Sequence, residues 1–138
     1  MRNHIRLGAV AIALILFPLG ASHADWDEDT LAPGKAASYT FTDTTAPSVI
    51  RTRLCATVKV WLVKPDSAKV FFWHCDDLTC ADGDRTQIRN YVDGVVSELP
   101  FDGTTELSGN QAVRANFIGM TVDTAPTTSA TARVECYQ

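Results

Sequence analysis

From residue 37 to the end, apolar and polar positions alternate in short runs closed by turn residues, and no stretch sustains a helical period. Ser38-Tyr39-Thr40-Phe41-Thr42 alternates cleanly, and Thr44 to Ser48 breaks it. Arg51 to Val63 reads as one long strand rich in Val, Thr, Leu and Trp. Lys64-Pro65-Asp66-Ser67 reads as a turn, and Lys69 to Cys75 as a second strong strand. Thr86 to Val92 predicts a strand that turns back at Asp93-Gly94, a hairpin signal. Pro100 to Gly103 and Ser108 to Asn110 are further breaks. In Gln111 to Asp123, Val113, Ala115 and Phe117 share one parity, whereas Met120 and Val122 share the other. The switch at Gly119 predicts a β-bulge. Ala125-Pro126-Thr127-Thr128 turns the chain into a closing strand, Ala130 to Tyr137. Seven to eight short antiparallel strands of this kind predict an all-β domain, a β-sandwich or jelly roll, over residues 37–138.

The Pro65-Asp66 turn also predicts a register. A two-residue loop pairs Lys64 with Ser67, so Val58 falls opposite Trp73, Val60 opposite Phe71 and Leu62 opposite Lys69. The face carrying Val58, Val60, Phe71 and Trp73 is then the core side. The other face carries Lys59, Trp61, Val70, Phe72 and His74, and is the candidate binding or assembly surface, because aromatics on an open sheet face stack on sugars or bury against partners. The bland reading of that face is a second core layer.

The first 24 residues do not follow this pattern. Arg2, His4 and Arg6 form a basic head, Leu7 to Leu19 is apolar apart from Gly8 and Pro18, and Ser22-His23-Ala24 has the small-x-Ala form of a cleavage site. This is the order of a secretory signal cut after Ala24. The apolar stretch is shorter than the roughly 20 residues a membrane span needs. No cysteine follows it to carry a lipid anchor. Residues 25–36 begin Asp25-Trp26-Asp27-Glu28-Asp29, include Pro33-Gly34, and read as a flexible acidic lead-in.

Removing 24 residues from 138 leaves 114, enough for one core. Arg2 and Arg6 leave with them, so 12 basic residues become 10 against 16 acidic ones, a net charge of −6. That balance, without a basic stripe, argues against nucleic acid as a partner. An exported chain meets an oxidising compartment, where an even number of cysteines reads as disulfides. Cys75 and Cys80 are placed to close a local loop, which leaves Cys55 for Cys136. Zinc is the weaker reading, since C-x4-C has no second close Cys/His pair.

Candidate chemistry is sparse. His74 is the one histidine after the leader. A single histidine with neither a Gly-x-Ser-x-Gly elbow nor a free cysteine is a poor start for nucleophilic catalysis. It also argues against a blue-copper ligand set, which needs two histidines and a cysteine, and the absence of C-x-x-C argues against a thioredoxin-like redox site. Asp76, Asp77, Asp82, Gly83 and Asp84 form the densest acidic cluster. Calcium would take Asp77, Asp82 and Asp84 first, but the spacing matches no EF-hand and suits an ordinary solvated turn better. No cofactor is implied. The expectation is therefore a secreted, non-catalytic binding or attachment domain with a carbohydrate or protein partner and no membrane span. A structural protomer of an extracellular assembly is the second reading, and a small secreted hydrolase or metal-dependent enzyme a remote third.

Overall fold

In the computed structural model, residues 25–92, 94–103, 111–112 and 116–138 are described. In chain order the strands are β1 (Ala36–Phe41), β2 (Ile50–Arg51), β3 (Thr57–Lys64), β4 (Lys69–Cys75), β5 (Arg85–Ile88), β6 (Asn90–Val92), β7 (Val95–Ser97), β8 (Gln111–Ala112), β9 (Phe117–Thr124) and β10 (Ala130–Tyr137). They form one sheet in the order β1-β10-β3-β8, a second in the order β2-β9-β4-β5, and a separate β6–β7 hairpin. All the strand pairs are antiparallel. Strict alternation places Val58, Val60 and Leu62 of β3 and Ala132, Val134 and Cys136 of β10 in the core. From the second sheet, Val70 and Phe72 of β4 and Ile118 and Met120 of β9 enter the same core. The architecture is the expected all-β domain with two disulfides, Cys55–Cys136 and Cys75–Cys80.

The predicted β3–β4 hairpin does not form. β3 pairs with β10, β4 pairs with β9 and β5, and the two consecutive strands lie in different sheets. The turn is centred one residue later than predicted. Asp66 (φ 37°) and Ser67 (φ 62°) occupy left-handed conformations, and the Ala68 amide donates to the Pro65 carbonyl at 2.7 Å. Asp66 also accepts from the Ser129 amide at 3.0 Å, which ties this corner to the turn before β10. The physical reason for the error lies in β4, whose sequence Val70-Phe71-Phe72-Trp73 is apolar at both parities. Alternation alone therefore cannot say which side is buried. A hairpin register would turn Phe71 and Trp73 inward with Val58 and Val60. Crossing between sheets instead lets the even positions of both strands meet face to face. Phe72 is fully buried, with its ring edge-on to Phe101 at 5.1 Å, whereas Phe71 and Trp73 lie half-buried on the outer face.

Two other long runs also divide between sheets. Arg51 to Val63 starts at the last residue of β2 in the second sheet and runs into β3 of the first, with Cys55 in the crossing. Gln111 to Asp123 likewise contains β8 and β9 in different sheets, and Val113 and Ala115 lie outside the described residues. The predicted bulge at Gly119 is absent, since Trp73 pairs with Gly119 in an unbroken register from Val70–Val122 to Cys75–Phe117. The irregularity falls between Lys69 and Val70 instead. Gly119 has a steric role, because a Cβ there would lie 2.6 Å from the Cys80 sulfur and 2.8 Å from the Cys75 sulfur. Gly119→Ala is therefore expected to lower stability by about 1–3 kcal/mol, the usual range for forcing volume into a packed site. A urea melt checks this; an unchanged midpoint would show that the disulfide loop yields freely.

β6 and β7 pair as the hairpin signal predicts, with Val92 opposite Val95, while Asp93 of the turn lies outside the described residues. Phe101 then returns to bridge Val70 at the edge that β5 vacates. Buried Asn90 fastens the base of this excursion by donating to the carbonyls of Leu99 (2.5 Å) and Pro100 (3.2 Å).

The acidic lead-in is not a free arm. The Asp27 amide donates to the Ser38 carbonyl (3.1 Å), and the Asp27 carboxylate accepts from the Ser38 amide (2.6 Å), which occupies the open edge of β1. The Leu31 amide donates to the Arg51 carbonyl (2.9 Å) and the Arg51 amide to the Asp29 carbonyl (3.1 Å), so the same segment covers β2 in the other sheet. Trp26 and Leu31 are buried beneath these bonds. The Trp26 indole N–H donates to the Ser48 carbonyl at 2.8 Å. Composition suggested a solvated segment because four of its first five residues are acidic. Two large apolar anchors decide otherwise, since burial of each contributes roughly 1.5–3 kcal/mol.

Tyr39 belongs to the same corner. It stacks on Phe41 at 5.4 Å, and its hydroxyl donates to the Thr45 carbonyl at 2.9 Å. Burial, then the charges of Asp43 and Asp25, push its pKa upward. A raised phenol pKa contributes stability that is fully present below the unfolded value of about 10 and is lost as pH rises through the folded value. Stability should therefore fall above about pH 10 less steeply in Tyr39→Phe than in the parent protein. Alkaline urea titrations of the two proteins test this, and parallel curves would contradict it.

Candidate functional site

The five residues of the predicted face do not share one surface. Val70, Phe72 and His74 point inward from β4 and are buried, while Lys59 and Trp61 point outward from β3 on the opposite sheet. His74 therefore belongs to the core side of the second sheet.

What surrounds Trp61 comes from β10. The register places Arg133 opposite Trp61, Glu135 opposite Lys59 and Tyr137 opposite Thr57. On the far side of β10, Ser38 pairs with Arg133 and Ala36 with Glu135. Strict alternation along β10 puts Arg133, Glu135 and Tyr137 all on the outer face. The Lys59 ammonium sits 4.8 Å and the Arg133 guanidinium 5.7 Å from the Trp61 ring centre, both within cation–π range. Arg133 Nε donates to Glu135 at 3.2 Å, and the Tyr137 hydroxyl donates to the other Glu135 oxygen at 2.5 Å. That hydrogen bond, together with the adjacent carboxylate charge, raises the Tyr137 pKa and holds it as a neutral phenol. Beside these side chains lies a concavity of about 430 Å³, lined among others by Asp27, Lys35, Ser38, Arg133, Glu135 and Tyr137.

The result is an indole flanked by two cations beside a polar hollow. Such a surface offers an apolar ring face together with directional donors and acceptors. Sequence reasoning found Lys59 and Trp61 and missed the β10 residues. The alternation of Arg133, Glu135 and Tyr137 with Ala132, Val134 and Cys136 was visible. The pairing of β10 with β3 was not.

The second sheet also carries an outer aromatic pair, Phe71 and Trp73, with ring centres 5.9 Å apart. Trp73 is already engaged. Arg85 stacks on Trp73 at 4.0 Å and pairs with Asp82, and the Trp73 indole donates to the Thr121 hydroxyl at 2.9 Å. A small hollow of about 160 Å³ lies nearby, between residues 46–49 and the Cys75–Cys80 loop.

The acidic cluster is tied up in its own loop. The Asp77 carboxylate accepts from the Thr79 amide (2.8 Å), the Thr79 hydroxyl (2.7 Å) and the Cys80 amide (3.0 Å). Its pKa is lowered, mainly by the Thr79 hydroxyl. Asp82 and Asp84 sit in a single 3-10 turn, where Asp82 pairs with Arg85. Among the described residues, no group of three His, Cys, Asp or Glu side chains is placed to hold a metal ion.

The chain matches no protein-family model, and no curated protein or solved structure is similar to it at a significant level.

Proposed function

We propose that this protein is exported, loses its leader after Ala24, and acts as a non-catalytic binding domain whose contact surface is the outer face of β3 and β10 around Trp61. Its partner is a carbohydrate or a protein. The observation that carries the reading is the Trp61 ring, with Lys59 and Arg133 both within cation–π range of it, beside a polar hollow on the outside of the sandwich. Export is supported by the leader-like first 24 residues and by two disulfides, which suit an oxidising compartment. No described helix is long and apolar enough to cross a membrane. The non-catalytic part rests on the one histidine after the leader lying on the core side of β4.

Array capture of the processed protein on immobilised glycans and proteins, repeated with Trp61→Ala, tests the reading. Central aromatic anchors contribute about 2 kcal/mol or more, so capture should drop at least about thirtyfold. Undiminished capture by Trp61→Ala would place the contact surface elsewhere.

One observation favours assembly as a second reading. The β6–β7 hairpin and its exit expose Val95 (67%), Val96 (48%) and Leu99 (64%), with the two valines on opposite faces of β7. Large exposed apolar side chains on both faces of a two-stranded hairpin suit burial against a partner. Light scattering across a concentration series separates the two readings, because a monomer at all concentrations leaves only the Trp61 face.

A further inference from the structure

The chemistry around Trp61 narrows the partner, on the condition that this face is the binding surface. Glu135 stands directly opposite Lys59 in the register, yet its carboxylate is taken by Arg133 Nε and the Tyr137 hydroxyl. The Lys59 ammonium lies over the indole instead. Glu135 bonds Arg133 through Nε, and the guanidinium lies near the Trp61 ring on the lining of the hollow. A guanidinium in this position offers its fork of donors to a planar carboxylate. Lys35 adds a third cation on the rim of the hollow. The hollow is also lined by Asp27 and Glu135, whose carboxylates are already bonded, Asp27 to the Ser38 amide and Glu135 to Arg133 and Tyr137; with Lys59 beside the ring the cations outnumber them on a protein whose net charge after leader removal is −6. The hollow, at about 430 Å³, falls within the usual size range of small-molecule sites.

We propose that the Trp61 face binds an acidic saccharide. A sugar ring displaces the flexible Lys59 ammonium from over the indole and stacks there, and its carboxylate is received by Arg133 and the displaced Lys59. A sugar fits better than an acidic peptide because the adjoining sheet edge is already occupied. Asp27 takes both the amide and the carbonyl of Ser38 on β1, so a peptide cannot extend the sheet there.

The test uses the processed chain, residues 25–138. The Trp61 indole N–H is followed by NMR while oligogalacturonate, oligomannuronate, their methyl esters and a glutamate peptide of equal charge are titrated in. The expected result is that at least one uronate shifts Trp61 and that esterification weakens it at least tenfold. Arg133→Gln should weaken the acid at least tenfold and the ester by clearly less. Lys69→Gln, on the other sheet, should change neither. Esters that bind as well as acids would overturn the acidic class and keep the site. A glutamate peptide that binds as well as the uronates would overturn the saccharide. Trp61 unmoved by every probe would overturn the acidic-saccharide proposal. The underlying face reading fails as well only if array capture is also insensitive to Trp61→Ala.

Discussion

Replacing Cys55 and Cys136 together by alanine should cost about 4–5 kcal/mol of stability. The bond spans a sequence separation of 81 residues, and constraining a loop of that size removes much of the unfolded chain's freedom in the entropic account. Cys136 also lies in β10 opposite Val58 of β3, so the bond fastens the two strands that display Arg133, Glu135 and Trp61. The Cys75–Cys80 bond spans only 5 residues, and the same reasoning gives its double-alanine variant a loss of about 2 kcal/mol. Urea denaturation of both double variants measures the difference. A larger loss from the short loop than from the long one would contradict this view of the framework.

Phe72→Ala should cost about 3–5 kcal/mol, the range for deleting a large buried ring. Its neighbour Trp73, although larger, should cost only about 1–2 kcal/mol as Trp73→Ala, through one lost hydrogen bond to Thr121 and its stacking with Arg85. The contrast is diagnostic, because a β3–β4 hairpin with the register read from the sequence would reverse it. Equal denaturant midpoints for the two variants, or a greater loss at Trp73, would show that the even positions of β4 do not line the core.

The class of fold was legible because it depends on local signals. Alternation in Ser38 to Thr42 and Ala130 to Tyr137, the turn residues at Pro65-Asp66 and Pro126, and the even cysteine count all survive in the structure. Strand pairing was not legible, because it depends on which faces meet across the core. β4 is apolar at both parities, so nothing local distinguishes Phe72, which is buried, from Trp73, which is not. The same ambiguity assigned Val70 and His74 to one surface with Trp61. Docking of residues 25–31 was hidden by their charge, because Trp26 and Leu31 are isolated in the sequence and find each other's neighbourhood only through the sheet edges. The site itself was half legible. Lys59 and Trp61 lie two apart on one strand and were found together, whereas Arg133, Glu135 and Tyr137 reach them only through the β3–β10 register.

On the proposed reading, Trp61 serves binding rather than folding. The most direct measurement is a pair of readings on the Trp61→Ala variant of the processed protein, its denaturant stability and its retention on the surface that captures the parent. The expected result is a stability loss of about 1 kcal/mol or less, as for positions outside the core, with retention reduced at least about thirtyfold. A stability loss of about 3–5 kcal/mol, as for a buried ring, with binding unchanged in the fraction that remains folded, would contradict it.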